Sequence, residues 1–326
     1  MLRKNPISSL QTKICVSLSK RPSLGRLYFD LSPVFAIVRS RPEEAISIVP
    51  LYKQSLYASP SKYIKIISEL KNGFWARAGT ISFGLTFGPL LTWFIHQMAN
   101  VSDVRWRARL VTSLLRQELG ARAPLPKPVS IDVLGSGSGL YVIDALKRFQ
   151  AIPQLSISLI DHDPETYDLA QQYAKQIGIN EQSFKSTFNQ QCSNILSNDF
   201  YVDEEETKDF VLMIGVGDHI DKVIKNRVLR SLMDSEHRFD VTATNPDLIQ
   251  LLTKTRKALK SGGMLIYTFV NYNEEEPFME KVVRWRHRYR SRKMIEAIFE
   301  ASGWDNEHVE YVTGPSGVQN VVIARA

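Results

Sequence analysis

One stretch, Val129–Leu146, constrains the possible folds of this chain more than any other. An apolar run ends at Leu134, glycines follow at three alternate positions, and a second apolar run starts at Leu140 with helical spacing. The glycines are Gly135, Gly137 and Gly139. A strand, a glycine turn and a helix in this order are typical of the nucleotide-binding βα unit of open parallel sheets. Glycine there lets the backbone turn tightly and approach a ligand that a Cβ would hold off.

The spacing of the glycines separates two classes of nucleotide-binding protein. The dinucleotide fingerprint G-x-G-x-x-G requires a glycine at position 140, which is Leu140 in this chain. The observed G-x-G-x-G is the form found in methyltransferases that use S-adenosylmethionine (SAM). The spacing therefore argues against an NAD-linked oxidoreductase. A glycine-rich surface turn is the remaining alternative at this point.

An acidic residue follows the next predicted strand, Leu155–Ile160. This residue, Asp161, lies 22 positions after Gly139. A carboxylate at the C-terminal end of the second strand is placed to accept hydrogen bonds from both hydroxyls of an adenosine ribose. We therefore predict that Asp161 binds the cofactor, with a helix cap as its alternative role. The cofactor-binding residues predicted beside it are Ser136 and His162.

Two further loops are predicted to reach the same site. Phe184–Phe188 reads as a third strand, and the polar side chains after it, beginning with Asn189, are placed to contact an adenine. Asp209–Ile214 reads as a fourth strand, and Gly215 opens the loop after it. Ligands of open parallel sheets lie beyond the carboxyl ends of the strands. We therefore add Asn189 and Gly215 to the predicted cofactor-binding residues.

The loop after the fourth strand also contains the candidate catalytic residues, Asp218 and His219. Either side chain could take a proton from an acceptor O–H or N–H. The alternative is that both cap the next helix or bond a neighbouring loop. The chain has two cysteines, Cys15 and Cys192, which cannot build a cysteine-rich zinc site or a disulfide framework. We therefore predict no metal site and a reducing compartment.

The rest of the C-terminal half completes a predicted Rossmann-like, doubly wound sheet of the α/β class. A helix over Leu248–Leu259 precedes a fifth strand, Met264–Val270, and another helix spans Arg290–Ala301. The chain then forms a β-hairpin from His308–Val312 and Val318–Ala324. An antiparallel C-terminal strand of this kind is the methyltransferase arrangement, and a dinucleotide dehydrogenase does not normally end in this way.

The sequence predicts three parts: a basic, poorly ordered N-terminus (1–40), a helical N-terminal extension (41–122) and a SAM-binding methyltransferase domain (123–326). In the extension, Ala78–Ile95 has no charged residue, but glycines and a proline interrupt it, which favours burial over membrane-surface contact or a membrane span. Arg105–Leu119 is predicted to be an amphipathic helix. We predict a cytoplasmic protein; the alternatives are import into a mitochondrion or plastid through the basic N-terminus, and membrane association.

A run of seven cations in thirteen residues, Lys281–Lys293, is the main clue to a substrate. Together with the net charge of +7 it predicts an anionic partner. The side chains assigned to hold an anionic substrate are Arg284, Arg286, Arg288 and Arg290. Nucleic acid stacked on Trp285 or Tyr289 and peripheral contact with an anionic membrane are alternatives. A solvated basic helix face is another.

Several stretches resemble the class I SAM-dependent methyltransferases and, more narrowly, a little-characterised, mainly bacterial family of this class. They read SFGLTFG, GSGSGLYVIDAL, LIDHDPE, DFVLMIG, LKSGGMLIYTF, RSRKMIEAIFEASGW and GVQNVVIARA. The resemblance covers roughly Ile81 to the C-terminus and implies SAM binding by Gly135, Gly137, Gly139 and Asp161. The chain departs from the family at one position. Family members usually have an acidic residue two positions before the first glycine, and this chain has Val133 there. The neighbouring acid, Asp132, faces the opposite side of the strand.

The resemblance implies transfer of a methyl group from SAM to an acceptor. With the basic run, it predicts an anionic small-molecule or lipid-like substrate. The alternatives are a non-catalytic SAM- or nucleic-acid-binding module of the same fold and an RNA methyltransferase.

Overall fold

The computed structural model describes residues 6–23, 97–122, 128–147, 155–202, 204–221, 241–283 and 285–326. The chain divides into two compact units, and the strands of the described residues all lie in the larger one. The larger unit consists of Arg107–Asn271, His287–Gly314 and Gln319–Ala326. The smaller unit consists of Met1–Trp106, Tyr272–Arg286 and Pro315–Val318. The uncharged stretch Ala78–Ile95 lies outside the described residues.

One seven-stranded sheet forms the framework of the larger unit. Its strands are β1 (Val129–Leu134), β2 (Leu155–Asp161), β3 (Phe188–Cys192), β4 (Lys208–Met213), β5 (Leu259–Val270), β6 (Val309–Thr313) and β7 (Gln319–Arg325). Their order is β3-β2-β1-β4-β5-β7-β6. The first five strands pair in parallel, and β7 is antiparallel to both β5 and β6. The predicted fold class is therefore confirmed, including the antiparallel hairpin at the C-terminal end.

The described helices are short apart from α2. They are α1 (Pro6–Ser19), α2 (Ala99–Arg122), α3 (Leu140–Leu146), α4 (Glu165–Gln176), α5 (Glu181–Thr187), α6 (Val241–Thr244), α7 (Pro246–Ala258), α8 (Glu276–Phe278) and α9 (Arg292–Ala301). Helix α2 contains the predicted amphipathic helix and extends beyond it at both ends. None of the described helices is long and apolar enough to cross a membrane.

The sheet is buried because its central strands consist almost entirely of apolar residues. All but one of the six residues of β1 are buried, and the last eight residues of β5 are buried as well. Runs of this kind are characteristic of parallel strands that are covered on both faces. Leu134, Val211 and Leu265 are completely inaccessible. Each such side chain contributes about 1.5–3 kcal/mol through removal of its surface from water.

The predicted third strand is wrong. The structure has helix α5 over Glu181–Thr187, and β3 follows it directly at Phe188. Asn180 caps the helix, because its side-chain oxygen accepts a hydrogen bond from the Ser183 amide at 2.8 Å. Only Phe188 of β3 is buried. An edge strand with four exposed residues, three of them polar, lacks the apolar pattern on which strand prediction depends.

Two buried carboxylates organise the described part of the smaller unit. Glu275 accepts hydrogen bonds from the amides of Ala99 and Asn100 at 3.0 Å, so it satisfies the free N–H groups at the start of α2. Its burial raises its pKa. Asp103 accepts from the amides of Ser316 and Val318 at 3.1 Å.

The N-terminal part of the chain, predicted to be poorly ordered, contains helix α1. Its buried residues, Gln11, Cys15 and Ser19, recur every four positions and so form one helix face. Cys15 packs in a cluster with Met98 and Phe278, and burial raises the pKa of its thiol.

Candidate functional site

The strand order reverses between β1 and β4, which lie side by side although β2 and β3 come between them in the chain. In open α/β sheets, ligands bind beyond the carboxyl ends of the strands at such a switch point. The glycine turn follows β1 at this position, and the loop that begins at Gly215 comes shortly after β4. Two of the predicted segments therefore lie at the position where this architecture places a ligand.

The glycine turn lies in the left-handed region of backbone conformation, which favours glycine. Gly135, Gly137 and Gly139 have φ angles of +57°, +51° and +57°. The turn is tied to the neighbouring strand, because the Ser136 amide donates to the Ile160 carbonyl oxygen at 3.0 Å. A Cβ at Gly135 would overlap the side chain of Val216, which belongs to the loop after β4. The two loops are therefore in close contact.

Asp161 ends β2 and contacts the glycine turn directly. Its Oδ2 accepts a hydrogen bond from the Gly137 amide at 2.9 Å, and its Oδ1 accepts from the Asp163 amide at 3.1 Å. The side chain keeps 11% of its surface exposed. His162 Nδ1 lies 3.3 Å from Oδ1, with its own side chain 82% exposed. The structure thus brings together the predicted residues of the turn, Asp161 and His162.

This arrangement fits an adenosyl group. The turn presents glycine backbone without side chains in the way, and Asp161 provides a partly exposed carboxylate beside it. A carboxylate so placed is suited to accept hydrogen bonds from a ribose diol. The neighbouring acid Asp132 is used elsewhere, since its Oδ2 accepts from the Tyr201 hydroxyl at 2.6 Å and lies 3.4 Å from Lys208 Nζ.

Asn189 does not have the position that its predicted role assumed. It is the second residue of β3, paired with Ser158 of β2, whereas the strand ends at Cys192. The prediction followed from the wrong third strand, which ended one residue before Asn189. The positional reason for assigning this side chain to an adenine therefore does not hold.

The loop after β4 contains a tight turn, Gly217–His219. Gly215 precedes it with a φ of +77°, and its amide donates to Thr268 Oγ1 at 2.8 Å. Asp218 is buried, and its Oδ1 accepts from the Val270 amide at 2.9 Å. His219 is exposed. The two candidate catalytic residues are therefore in different environments, one inside the protein and one at its surface.

Burial shifts the pKa values of two side chains around this turn. It raises the pKa of the Asp218 carboxyl, against the opposing effects of His219 and Arg107. It also holds the pKa of His287 well below the usual value, and the charges of His219 and Arg107 act in the same direction. The His287 ring lies 5.2 Å from the His219 ring, centroid to centroid. His287, which sequence reasoning did not single out, therefore places a neutral imidazole ring beside His219.

The basic run is neither a helix face nor solvated over most of its described length. Arg288 and Arg290 are 3% and 0% exposed, and Trp285 and Tyr289 are buried too. Arg290 binds only protein atoms, which excludes it as a free anion-binding side chain. Arg286 is exposed, and Arg284 lies outside the described residues. Arg288, Arg290 and the two aromatic rings therefore lack the exposure that their assignment to an anionic substrate or to nucleic acid assumed. The anionic partner itself stays a prediction.

Arg107 is a buried residue of α2 that the sequence analysis did not single out. It is 3% exposed, and its Nη1 donates to Gln319 Oε1 at 2.7 Å. Its guanidinium also packs beside Gly215, where a Cβ would lie 3.4 Å from Nη2. A signal for burial existed in the sequence, because Arg107 lies one helical turn before the buried Val111.

The chain is similar to several solved structures. A possible exported protein from Bordetella parapertussis is 15% identical, with a TM-score of 0.52 over 98% of this chain and 96% of that one. Magnesium protoporphyrin IX methyltransferase from Synechocystis, solved with bound SAH, is 13% identical, with a TM-score of 0.45 over 69% of this chain and 86% of that one. An O-methyltransferase family protein from Burkholderia thailandensis is 15% identical, with a TM-score of 0.46 over 71% and 60%.

Neither a family model nor a curated protein sequence matches the chain. At 15% identity, the similarity to the Bordetella parapertussis protein shows the fold alone, and the two similarities with TM-scores below 0.5 carry no argument. The strand order, the position of the glycine turn and the antiparallel β7 together give the chain the class I methyltransferase fold.

Proposed function

We propose that this protein is a SAM-dependent methyltransferase. One observation carries the proposal: the hydrogen bond of 2.9 Å between the Gly137 amide and Asp161 Oδ2, at the switch point of a class I sheet. It joins the two features that together would bind an adenosyl group. SAM supplies a methyl group on a positively charged sulfur. Because the donor is already activated, the protein mainly has to align it with the acceptor and exclude water.

The roles proposed for the donor site follow from the contacts at the turn. Gly135, Gly137 and Gly139 would let the donor approach the backbone, and Asp161 would accept hydrogen bonds from its ribose hydroxyls. Ser136 is buried within the turn, so its contribution would be to the turn's conformation. His162 and Gly215 flank this space on either side of the switch point.

For the proton of the acceptor we propose His219. Its imidazole is exposed and belongs to the loop whose Val216 contacts the glycine turn. Imidazole is the side chain that most often performs general acid–base catalysis. Asp218 is less suited to this role, because its carboxylate is buried and bonded to the Val270 amide. We infer that Asp218 supports the turn and that His219 takes the proton.

For the acceptor we propose a small or lipid-like molecule that is anionic and carries an ionisable O–H or N–H. The net charge of +7 supports attraction of an anion. The arginines of the basic run that are buried give no support to an anionic acceptor. Arg286 and Arg292 are the exposed arginines among the described residues of that run.

The test is incubation of the purified protein with methyl-labelled SAM and fractionated lipid, RNA, protein and small-molecule pools. We expect label to enter one pool with the wild type and to enter it about 100-fold more slowly with His219→Gln. His308→Gln is a matched control, since His308 is an exposed histidine of the same unit. SAM binding without transfer to any pool would contradict an enzyme and identify a non-catalytic SAM-binding module.

A further inference from the structure

The turn over residues 217–220, here called the His219 turn, is bound by residues of the basic run, which the sequence analysis assigned to an anionic substrate. The carbonyl oxygens of Gly217 and Ile220 accept hydrogen bonds from the Arg290 guanidinium at 2.6 and 3.0 Å. The carbonyl oxygen of Asp218 accepts from the Arg288 amide at 2.6 Å. Three of the four carbonyl groups of the turn are therefore bound by residues 288–290.

Arg290 uses its remaining contacts to connect this turn to its surroundings. Its Nε donates to Asn245 Oδ1 at 3.0 Å, and its Nη2 lies 3.1 Å from Asp221 Oδ2. Asp221 in turn accepts from the Asp247 amide at 3.1 Å, at the start of α7. The planar guanidinium thus directs donors to four acceptors in fixed directions, which a lysine ammonium on a flexible stem cannot reproduce.

The last residue of β5, Val270, forms one hydrogen bond with Arg290 and one with Asp218. The Arg290 amide donates to the Val270 carbonyl oxygen at 3.0 Å, and the Val270 amide donates to Asp218 Oδ1 at 2.9 Å. Strand β5 is a central strand of the sheet, paired with β4 and β7. The His219 turn is therefore connected to strand β5 of the central sheet through two independent hydrogen bonds.

We propose that Arg290 is a positioning residue that fixes the backbone on both sides of His219 and so holds its imidazole at the carboxyl end of β4. The proposal depends on the proposed function, in which His219 takes the acceptor's proton. A buried ion pair is a costly way to stabilise a fold, and apolar residues of similar volume often serve as well. The value of Arg290 here lies in the direction of its hydrogen bonds, which determine where the turn is.

The test compares Arg290→Lys with the wild type by amide hydrogen exchange measured by NMR. The amides of His219 and Ile220 donate within the turn, to Val216 and Gly217. We expect both to exchange at least tenfold faster in Arg290→Lys, while a β5 amide such as that of Leu265 keeps its wild-type rate. The His219 side-chain resonance should be single in the wild type and broadened or split in the variant. Arg292→Lys, at an exposed arginine paired with Glu296, should change none of these values.

Equal acceleration of turn and β5 amides, or unchanged turn amides, would overturn the proposal, because either result leaves Arg290 with a purely structural role or none at the turn. If Arg290→Lys fails to fold, Asp221→Asn weakens the same contact, and we expect a selective effect of about twofold to fivefold. An unselective effect in Asp221→Asn contradicts the proposal as well. SAM calorimetry on the same samples keeps the two hypotheses apart, since a wild type that binds no SAM would refute the proposed function without altering the exchange result.

Discussion

The glycine turn and the basic run differ in how directly the sequence determines their structure. The three turn glycines have positive φ angles, and the turn lies after β1 as predicted. The basic run was expected to face solvent or a ligand, yet Arg290 is completely buried among protein acceptors. A backbone conformation that favours glycine is a local property and can be predicted locally. The partner of a charge is set by the tertiary fold and lies up to 73 residues away here.

The largest effect we predict separates buried from exposed members of the basic run. Arg290→Met should lower the free energy of unfolding by about 3–5 kcal/mol, because it leaves Asp221 as an uncompensated carboxylate and three acceptors unsatisfied. Denaturant unfolding of both variants measures it. Arg286→Met, at an exposed arginine, should stay within about 0.5 kcal/mol of wild type. Equal effects of the two substitutions would mean that the burial described for Arg290 is not present in solution.

A second prediction tests the backbone requirement of the glycine turn. Gly135→Ala should lower the free energy of unfolding by about 1–3 kcal/mol, because alanine is strained at a φ of +57° and its Cβ overlaps Val216. It should also abolish SAM binding. The matched control is Gly120→Ala, where a Cβ meets no atom within 4 Å inside helix α2, and a gain of about 0.5–1 kcal/mol is expected. A stable Gly135→Ala that still binds SAM would contradict the role of the turn.

A third prediction concerns the pH dependence of stability and His287, whose ring lies beside His219. His287 has a lowered pKa in the folded protein, so its neutral form stabilises the fold above the ordinary value of 6.5, and this contribution is lost as pH falls from there toward the folded value. Within that window, the free energy of unfolding should fall by about 1.4 kcal/mol per pH unit through this group. Urea unfolding at several pH values should show this slope in the wild type and its loss in His287→Phe. An unchanged slope in the variant would place His287 in contact with solvent.

The sequence predicted those parts of the fold that repeat a local pattern. Strands β1, β2 and β4, the glycine turn and the C-terminal hairpin follow from apolar runs bounded by glycine or aspartate, and Asp161 follows from its position at the end of β2. The same reasoning failed at β3, an edge strand with four exposed residues, although Asn180 offered a readable helix cap. It also failed for Arg290, since nothing in the immediate neighbours of this arginine reveals that distant acceptors surround it.

The candidate site divides in the same way. Its donor half consists of backbone and one carboxylate, which spacing alone can indicate. Its other half depends on His287 and Arg290, which reach the His219 turn from after β5 and give no local signal. Function prediction from a single sequence is therefore strongest where a ligand is bound by the backbone and weakest where side chains from separate segments converge.

The smallest change with the most direct bearing on the central claim is Asp161→Asn, measured by isothermal titration calorimetry with SAM. The wild type should bind SAM at one site per chain, and Asp161→Asn should remain folded but bind at least tenfold more weakly, because the variant has no carboxylate for the ribose hydroxyls. Asp163→Asn, two residues away at a half-buried side chain that accepts from the Glu165 amide, should bind like the wild type. Absence of binding to the wild type, or equal affinity in wild type and Asp161→Asn, would contradict the claim that the glycine turn and Asp161 together hold an adenosyl group.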